Sequence, residues 1–282
     1  MQNIEPVDRI GRRAWGDSAK AVSERLRQAA PGLYFRCYKA WFYKTKYDRE
    51  PAHQDDPNLR SLRQDGICVI PDFLNPEEVG TILQEAGEAL RELEEFQDTR
   101  LGKATCMPSS GIYRLDDVER LAPASARFFS DPVIWRVARA FVSRTVTSRK
   151  RMLELRPPIE AQAITDTVHF DDWRIKFKAF LYLVDVDEGT APLRYFKGSH
   201  RCDEAWRTRK ELEFFRYGTK GPLGYFSDQE LSAYRIRSRF EEWIVTARAG
   251  TLILVDTRGL HSGRPARTGR RLLLANYFEV GD

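Results

Sequence analysis

The chain has four histidines, His53, His169, His200 and His261, and the settings of two of them point to chemistry. His169-Phe170-Asp171 ends a strand-like run at residues 161–170. Side chains on a strand alternate faces with period two, so His169 and Asp171 share a side and Phe170 takes the other. An imidazole nitrogen and a carboxylate then reach toward one cation. Asp172 has the wrong parity and belongs to the following turn. Taken alone, H-x-D is weak, because a lone strand histidine is more often structural. His261 adds the second imidazole. It follows the buried-strand pattern at 250–256 and lies in Thr257-Arg-Gly-Leu-His-Ser-Gly263, flanked by two glycines as in a tight loop beside a site. Two histidines and one carboxylate make the facial triad that holds Fe(II) with positions left open. Zinc with water as a fourth ligand uses the same set, so the ligands alone do not choose the metal.

Arg270 lies nine residues beyond His261, at the start of an apolar strand pattern. If the face bearing Leu272 and Leu274 points inward, Arg270 points inward too. A buried arginine beside a metal needs an anionic partner. A dicarboxylic cosubstrate supplies one, with one end on iron and the other in a bidentate guanidinium pair. Arg271, on the opposite face, is the competing candidate. The phosphate-loop, dinucleotide-binding, zinc-protease and serine-hydrolase motifs are absent.

The elements that must position these groups fall into two parts. Residues 1–60 read as an N-terminal extension: a helix at 17–30, an aromatic stretch from Tyr34 to Tyr43 interleaved with Lys39 and Lys44, and a polar linker at 51–58. The aromatics are expected to pack onto the main domain, which is the usual role of such a stripe. Residues 61–282 read as one domain. Asn75-Pro76-Glu77-Glu78 is a helix start, with an N-cap, proline in the first turn and acids at the positive dipole end. Asp131-Pro132 starts another helix. After residue 150 the pattern turns to short strands at 161–170, 177–186, 243–247, 251–255 and 271–280, with a helical insert at about 202–238 between them. Helices followed by antiparallel strands argue for a helix-decorated β-sandwich or barrel.

With these blocks in order, the chain resembles the phytanoyl-CoA dioxygenase family of iron(II)/2-oxoglutarate oxygenases. The resemblance spans about residues 62–280. It rests on Asp65-Gly-Ile-Cys-Val-Ile-Pro71, on Val168-His-Phe-Asp-Asp-Trp173 through the strand at 177–186 to Gly198-Ser-His-Arg201, and on the block from Gly250 to His261 with Arg270. The resemblance implies a mainly β fold with flanking helices and a double-stranded β-helix (jelly roll, cupin-like) core. It implies His169, Asp171 and His261 as iron ligands and Arg270 as the 2-oxoglutarate arginine. Phe180 matches an aromatic that lines the cosubstrate pocket. Lys178, on the same strand face, is a candidate for a carboxylate of cosubstrate or substrate, against the alternative that it snorkels to a strand end. His200 falls in the Gly-Ser-His block and reads as a turn residue. Ala191 stands where many members have glycine, and Gly263 where some relatives carry an extra serine contact. The presence of Asp171 argues against halogenation, since halogenating relatives lack that carboxylate.

The implied activity is an iron(II)/2-oxoglutarate-dependent dioxygenase. It hydroxylates a C–H bond of a small-molecule substrate, anionic or carrier-linked among the options, with O2 consumed and succinate and CO2 formed. The substrate is expected to be held by residues 101–113, the helical insert acting as a lid, and the extension. Two other readings stand beside it: a metal-binding jelly roll that does not turn over, and a nucleic-acid oxygenase. The charge is modest, 46 Lys plus Arg against 41 Asp plus Glu for a net +5, so nucleic acid is not the expected partner. No long uncharged apolar run or secretory leader is evident in the sequence, and the four cysteines are widely spaced. The expectation is a cytoplasmic protein with reduced thiols and no membrane partner.

Overall fold

The computed structural model describes residues 24–51, 56–95, 104–107, 112–158, 166–217 and 224–280. Much of the predicted strand at 161–170 and of the helix at 17–30 lies outside them, as do parts of the 51–58 linker, the 101–113 segment and the insert.

Among the described residues, ten strands form two antiparallel sheets. The larger has the order β1-β8-β5-β10-β4-β3-β2. Here β1 is Ile67–Ile70, β2 Ala104–Met107, β3 Ile112–Asp116, β4 Val146–Arg156, β5 Phe177–Tyr182, β8 Leu252–Asp256 and β10 Arg271–Val280. The smaller has the order β7-β6-β9, with β6 Leu193–Phe196, β7 Glu242–Val245 and β9 His261–Ser262. The two sheets face each other as the jelly roll expected from the sequence.

The central strand β10 pairs with β4 on one side and β5 on the other. Both of its faces are buried, against different things. Leu272 and Leu274 pack with Ile82 and Val137 of the covering helices. Leu273 and Ala275 face the barrel interior, packed with Tyr182, Tyr195 and Val245 from the two sheets. That division decides which arginine enters the barrel.

Helix starts follow their local chemistry. α1 is Pro31–Lys46 and α2 is Pro57–Gln64, the latter capped by the Asp56 carboxylate on Asn58 and Leu59 N–H groups. The Asp-Pro start at 56–57 therefore ends the expected linker early. α3, Pro76–Glu85, carries a complete capping box between Asn75 and Glu78. It stops at Ala86, and α4, Gly87–Glu95, follows, so the single long helical pattern at 79–93 is two helices. Ala126–Phe129 forms the short α5, and α6, Pro132–Phe141, is capped by Asp131. The insert between β6 and β7 contains α7 (Ala205–Tyr217), α8 (Asp228–Ala233) and α9 (Ile236–Arg239). Trp206, Phe226, Leu231 and Ile236 of this region close over Phe170 and Phe196.

The aromatic stretch is helix α1, with Tyr34, Phe35, Tyr38 and Phe42 buried against Trp173 and Phe215. Its Lys39 is paired with Glu211 of α7 at 2.5 Å. The stretch thus packs onto the main domain, as expected from the sequence. Cys37, Cys68 and Cys202 are free thiols. No helix among the described residues is long and apolar enough to cross a membrane.

Candidate metal centre

The two segments that carry the imidazoles are laced together by backbone. His169 N–H donates to His261 O and His261 N–H to His169 O, each at 2.8 Å. Asp171 N–H donates to Thr257 O at 2.9 Å, and Thr257 N–H donates to Lys176 O at 2.9 Å. This isolated β-bridge, rather than a regular strand, sets the two rings side by side with centroids 4.4 Å apart. Gly259 is required in the approach to His261: a Cβ there would fall 1.9 Å from the Tyr195 hydroxyl oxygen.

One ligand atom from each of His169, Asp171 and His261 lies within 4.8 Å of the others. Asp171 Oδ1 is 3.7 Å from Nε2 of both histidines. The tautomers follow from the partners of the other ring nitrogens. Nδ1 of His169 is 2.8 Å from Thr167 O and Nδ1 of His261 is 2.9 Å from Gly259 O. A carbonyl oxygen only accepts, so both Nδ1 atoms carry the hydrogen, and both Nε2 lone pairs face Asp171 Oδ1. Burial holds the two imidazoles neutral. It lowers the pKa of His261 to about 3, helped by the neighbouring His169, and it lowers that of His169. Burial alone would raise the Asp171 pKa. The Lys178 ammonium, then His261 and His169, outweigh it and hold the carboxyl well below the usual range. Two neutral imidazoles and a carboxylate converging on one point are the donor set of a divalent transition metal.

Lys178 lines the cavity, but its ammonium is engaged at the centre itself. Nζ lies 2.6 Å from Asp171 Oδ2 and 4.2 Å from the centroid of the Tyr277 ring. The carboxylate therefore offers Oδ1 toward the histidines while Oδ2 is held by lysine. Phe180 also lines the cavity.

The fold places the two candidate cosubstrate arginines differently from the sequence expectation. Arg270 is exposed and precedes β10, and it does not line the cavity. Arg271, the competing residue, is buried on the interior face with Leu273. The Leu272/Leu274 face is apolar because it lies under helices, not because it faces the barrel. Arg271 donates from Nη1 to Ala191 O and from Nη2 to Glu154 Oε1, both at 2.7 Å, and its buried Nε has no partner. Ala191 itself sits at φ +60°, in the left-handed region that favours glycine.

Three charged neighbours of Arg271 were not legible in the sequence. Arg156 stands directly opposite it across the β4–β10 ladder and is fully buried with Asp166 as ion partner. Glu154 joins Arg271 to Arg114, whose Nε is 2.9 Å from Oε2. Burial would raise the Glu154 pKa, but Arg114 and Arg271 bring it down to about 2. The basic run at 144–156 ends in an interior strand, with Glu154 and Arg156 on the barrel side.

Tyr225 is a further addition. Its ring lies 4.9 Å from that of His169 and lines the cavity. Residues 224–226 reach there by pairing with the His169 segment: Phe226 N–H donates to Val168 O and Phe170 N–H to Gly224 O. No side chain but glycine fits at 224, since a Cβ would lie 2.6 Å from the Phe170 ring. A lone tyrosine in an insert carries no spacing signal, so only the fold identifies it. His200 takes the expected turn position, in a short 3-10 turn, with Nε2 facing Arg63 O at 3.3 Å. Ser262 Oγ accepts from Arg194 Nε at 2.9 Å.

The resulting cavity has a volume of about 210 Å³, with the histidines and Asp171, Lys178, Tyr225 and Arg271 among its walls.

The profile of the family described as phytanoyl-CoA dioxygenase matches residues 62–272. No curated protein matches the sequence. Among solved structures, EctD from S. alaskensis with bound Fe is 18% identical, with a TM-score of 0.62 over 83% of this chain and 81% of that one. The non-heme alpha ketoglutarate dependent epimerase SnoN from nogalamycin biosynthesis is 20% identical, TM-score 0.54, over 78% and 81%. The carbocyclase SnoK from the same biosynthesis is 16% identical, TM-score 0.53, over 81% and 86%.

Proposed function

Because the chain belongs to the phytanoyl-CoA dioxygenase family, we propose that it is an Fe(II)/2-oxoglutarate-dependent dioxygenase that hydroxylates a C–H bond of a small-molecule substrate, with succinate and CO2 as coproducts. The observation that carries this reading is the convergence of His169 Nε2, Asp171 Oδ1 and His261 Nε2, with both Nδ1 hydrogens tied to carbonyls. These three residues would hold the iron on one face. Bound iron and 2-oxoglutarate supply the oxidising chemistry.

The protein's own residues supply placement and charge. Arg271 offers its unpartnered Nε to the far carboxylate of 2-oxoglutarate. Around it, the buried guanidinium of Arg156 is paired with Asp166, and Glu154 joins Arg114 to Arg271, so Arg271 is held at the cavity wall by a charged network. Phe180 provides an apolar wall beside it. Lys178 keeps Asp171 ionised and turned so that only one oxygen is free to ligate. Tyr225 and the insert that carries it, roughly 202–238, cover the side of His169, and the substrate enters beneath them. EctD was solved with 2-oxoglutarate and 5-hydroxyectoine, SnoN with Fe3+, alpha ketoglutarate and a nogalamycin compound. These support a small-molecule substrate for the same fold.

The test is anaerobic loading with Fe(II) and 2-oxoglutarate, followed by exposure to O2 and measurement of succinate with and without candidate substrates. Succinate formation that requires both Fe(II) and 2-oxoglutarate supports the proposal. A wild-type protein that binds metal but forms no succinate with any substrate, and no slow uncoupled succinate, favours the metal-binding jelly roll without turnover.

A further inference from the structure

Helix α1 ends before the family match begins at residue 62, yet it grips both segments that form the candidate metal centre. Its buried rings close around Trp173, two residues beyond Asp171: Phe35 and Phe42 meet the indole edge-on at 5.6 and 5.1 Å. At its C-terminal end, the Tyr43 hydroxyl donates to Trp173 O at 2.7 Å and accepts from Arg258 Nη1 at 3.0 Å. Arg258 lies three residues before His261, and its Nε is fixed on the Asp256 carboxylate at 2.9 Å. A single oxygen thus joins the segment that carries His169 and Asp171 to the segment that carries His261. Four residues on, the Tyr47 hydroxyl accepts the Ile175 N–H at 2.8 Å. The backbone bonds between Asp171, Thr257 and Lys176 tie the same two segments from within. Tyr43 ties them from outside.

The chemistry of the bridge is selective. A carbonyl on one side requires a donor, and a guanidinium on the other requires an acceptor. A hydroxyl serves both at once. An ammonium would repel Arg258, a carboxylate has no hydrogen to give to Trp173 O, and phenylalanine satisfies neither.

We propose that Tyr43 is a positioning residue for the metal centre, its hydroxyl setting the separation of the Asp171 and His261 segments from a helix that lies outside the family match. This rests on the reading of His169, Asp171 and His261 as the metal ligands. Partners hydrogen-bonded to a ligand itself change metal affinity by about 10–100-fold when lost, and Tyr43 acts one step further out, so the low end of that range applies.

The test uses full-length Tyr43→Phe, which keeps the ring and removes the bridge, with Tyr34→Phe near the start of the same helix as control. Two readouts are taken: hydrogen exchange of the metal-free protein, and Co(II) affinity followed by the visible ligand-field spectrum. In Tyr43→Phe, amides at 171–176 and 257–261 are expected to exchange faster than in wild type while the β4–β10 ladder is unaltered. Co(II) affinity is expected to fall about tenfold with a changed spectrum, and Tyr34→Phe is expected to match wild type in both. Unaltered exchange in those two segments overturns the bridge. Faster exchange with wild-type Co(II) affinity and spectrum overturns the positioning role. Both outcomes leave the metal-centre reading standing, whereas a wild-type protein that takes up no Co(II) removes that reading and this one with it.

Discussion

The choice between two adjacent arginines is the sharpest consequence of the fold. Arg271→Met removes a guanidinium buried on the barrel wall, whereas Arg270→Met removes an exposed one. Loss of one partner from a buried, hydrogen-bonded charge pair costs about 2–5 kcal/mol. Arg156 lies directly across the ladder and keeps some positive charge facing the same end of the cavity, so the lower figure applies. About 2 kcal/mol corresponds to a rise of about 30-fold in the 2-oxoglutarate requirement, at roughly 1.4 kcal/mol per decade. Folding is spared, because Glu154 keeps Arg114 at 2.9 Å and is not left as a lone buried charge. Arg271→Lys retains charge but loses the planar fork, and falls between wild type and Arg271→Met. The assay is titration of 2-oxoglutarate into the metal-loaded protein by calorimetry, together with the dependence of succinate formation on 2-oxoglutarate. Arg270→Met is expected to be indistinguishable from wild type in both. An Arg271→Met protein with unchanged 2-oxoglutarate affinity would falsify the assignment, and a 30-fold loss in Arg270→Met would restore the reading from sequence.

Other consequences are equally direct. His169→Ala or His261→Ala should lose stoichiometric Co(II) binding at neutral pH, and a variant that keeps the wild-type affinity strikes that residue from the ligand set. Metal-free stability should fall as pH drops below about 6.5. His261 and His200, buried at pKa values of about 3 and 4, bind protons less readily folded than unfolded, so the unfolded chain takes up more protons in that window. Each contributes up to about 1.4 kcal/mol per pH unit. A urea midpoint that stays flat from pH 6.5 to 4.5 contradicts this. Gly259→Ala should cost about 1–3 kcal/mol by driving a methyl into the Tyr195 hydroxyl, and the thermal midpoint measures it. Ala191→Gly should relieve the left-handed strain and raise the midpoint slightly, by up to about 1 kcal/mol of stability; a lower midpoint excludes strain at that residue.

Much of this protein was readable from residue order. The H-x-D pair has period-two geometry, the second histidine follows a buried strand between two glycines, and helix starts at Asn75 and Asp131 are marked by side chains that cap their own backbone. These are local signals, set by chemistry within a few residues of one another. The same holds for the apolar strands of the jelly roll.

What the sequence left undecided depended on which of two buried faces looks into the barrel. In β10 both faces are apolar, so hydrophobicity could not tell the helix-packed side of Leu272 and Leu274 from the interior side of Leu273 and Ala275. Only the packing of sheet against helix and of sheet against sheet placed Arg271 inside and Arg270 out. The pairing of Arg156 with Asp166, of Glu154 with two arginines, of Lys178 with Asp171 and of Tyr43 with two distant segments likewise joins residues far apart in the chain. Local patterning names the groups that can do chemistry, but partners brought together by long-range closure determine which are buried, which are charged and where they point.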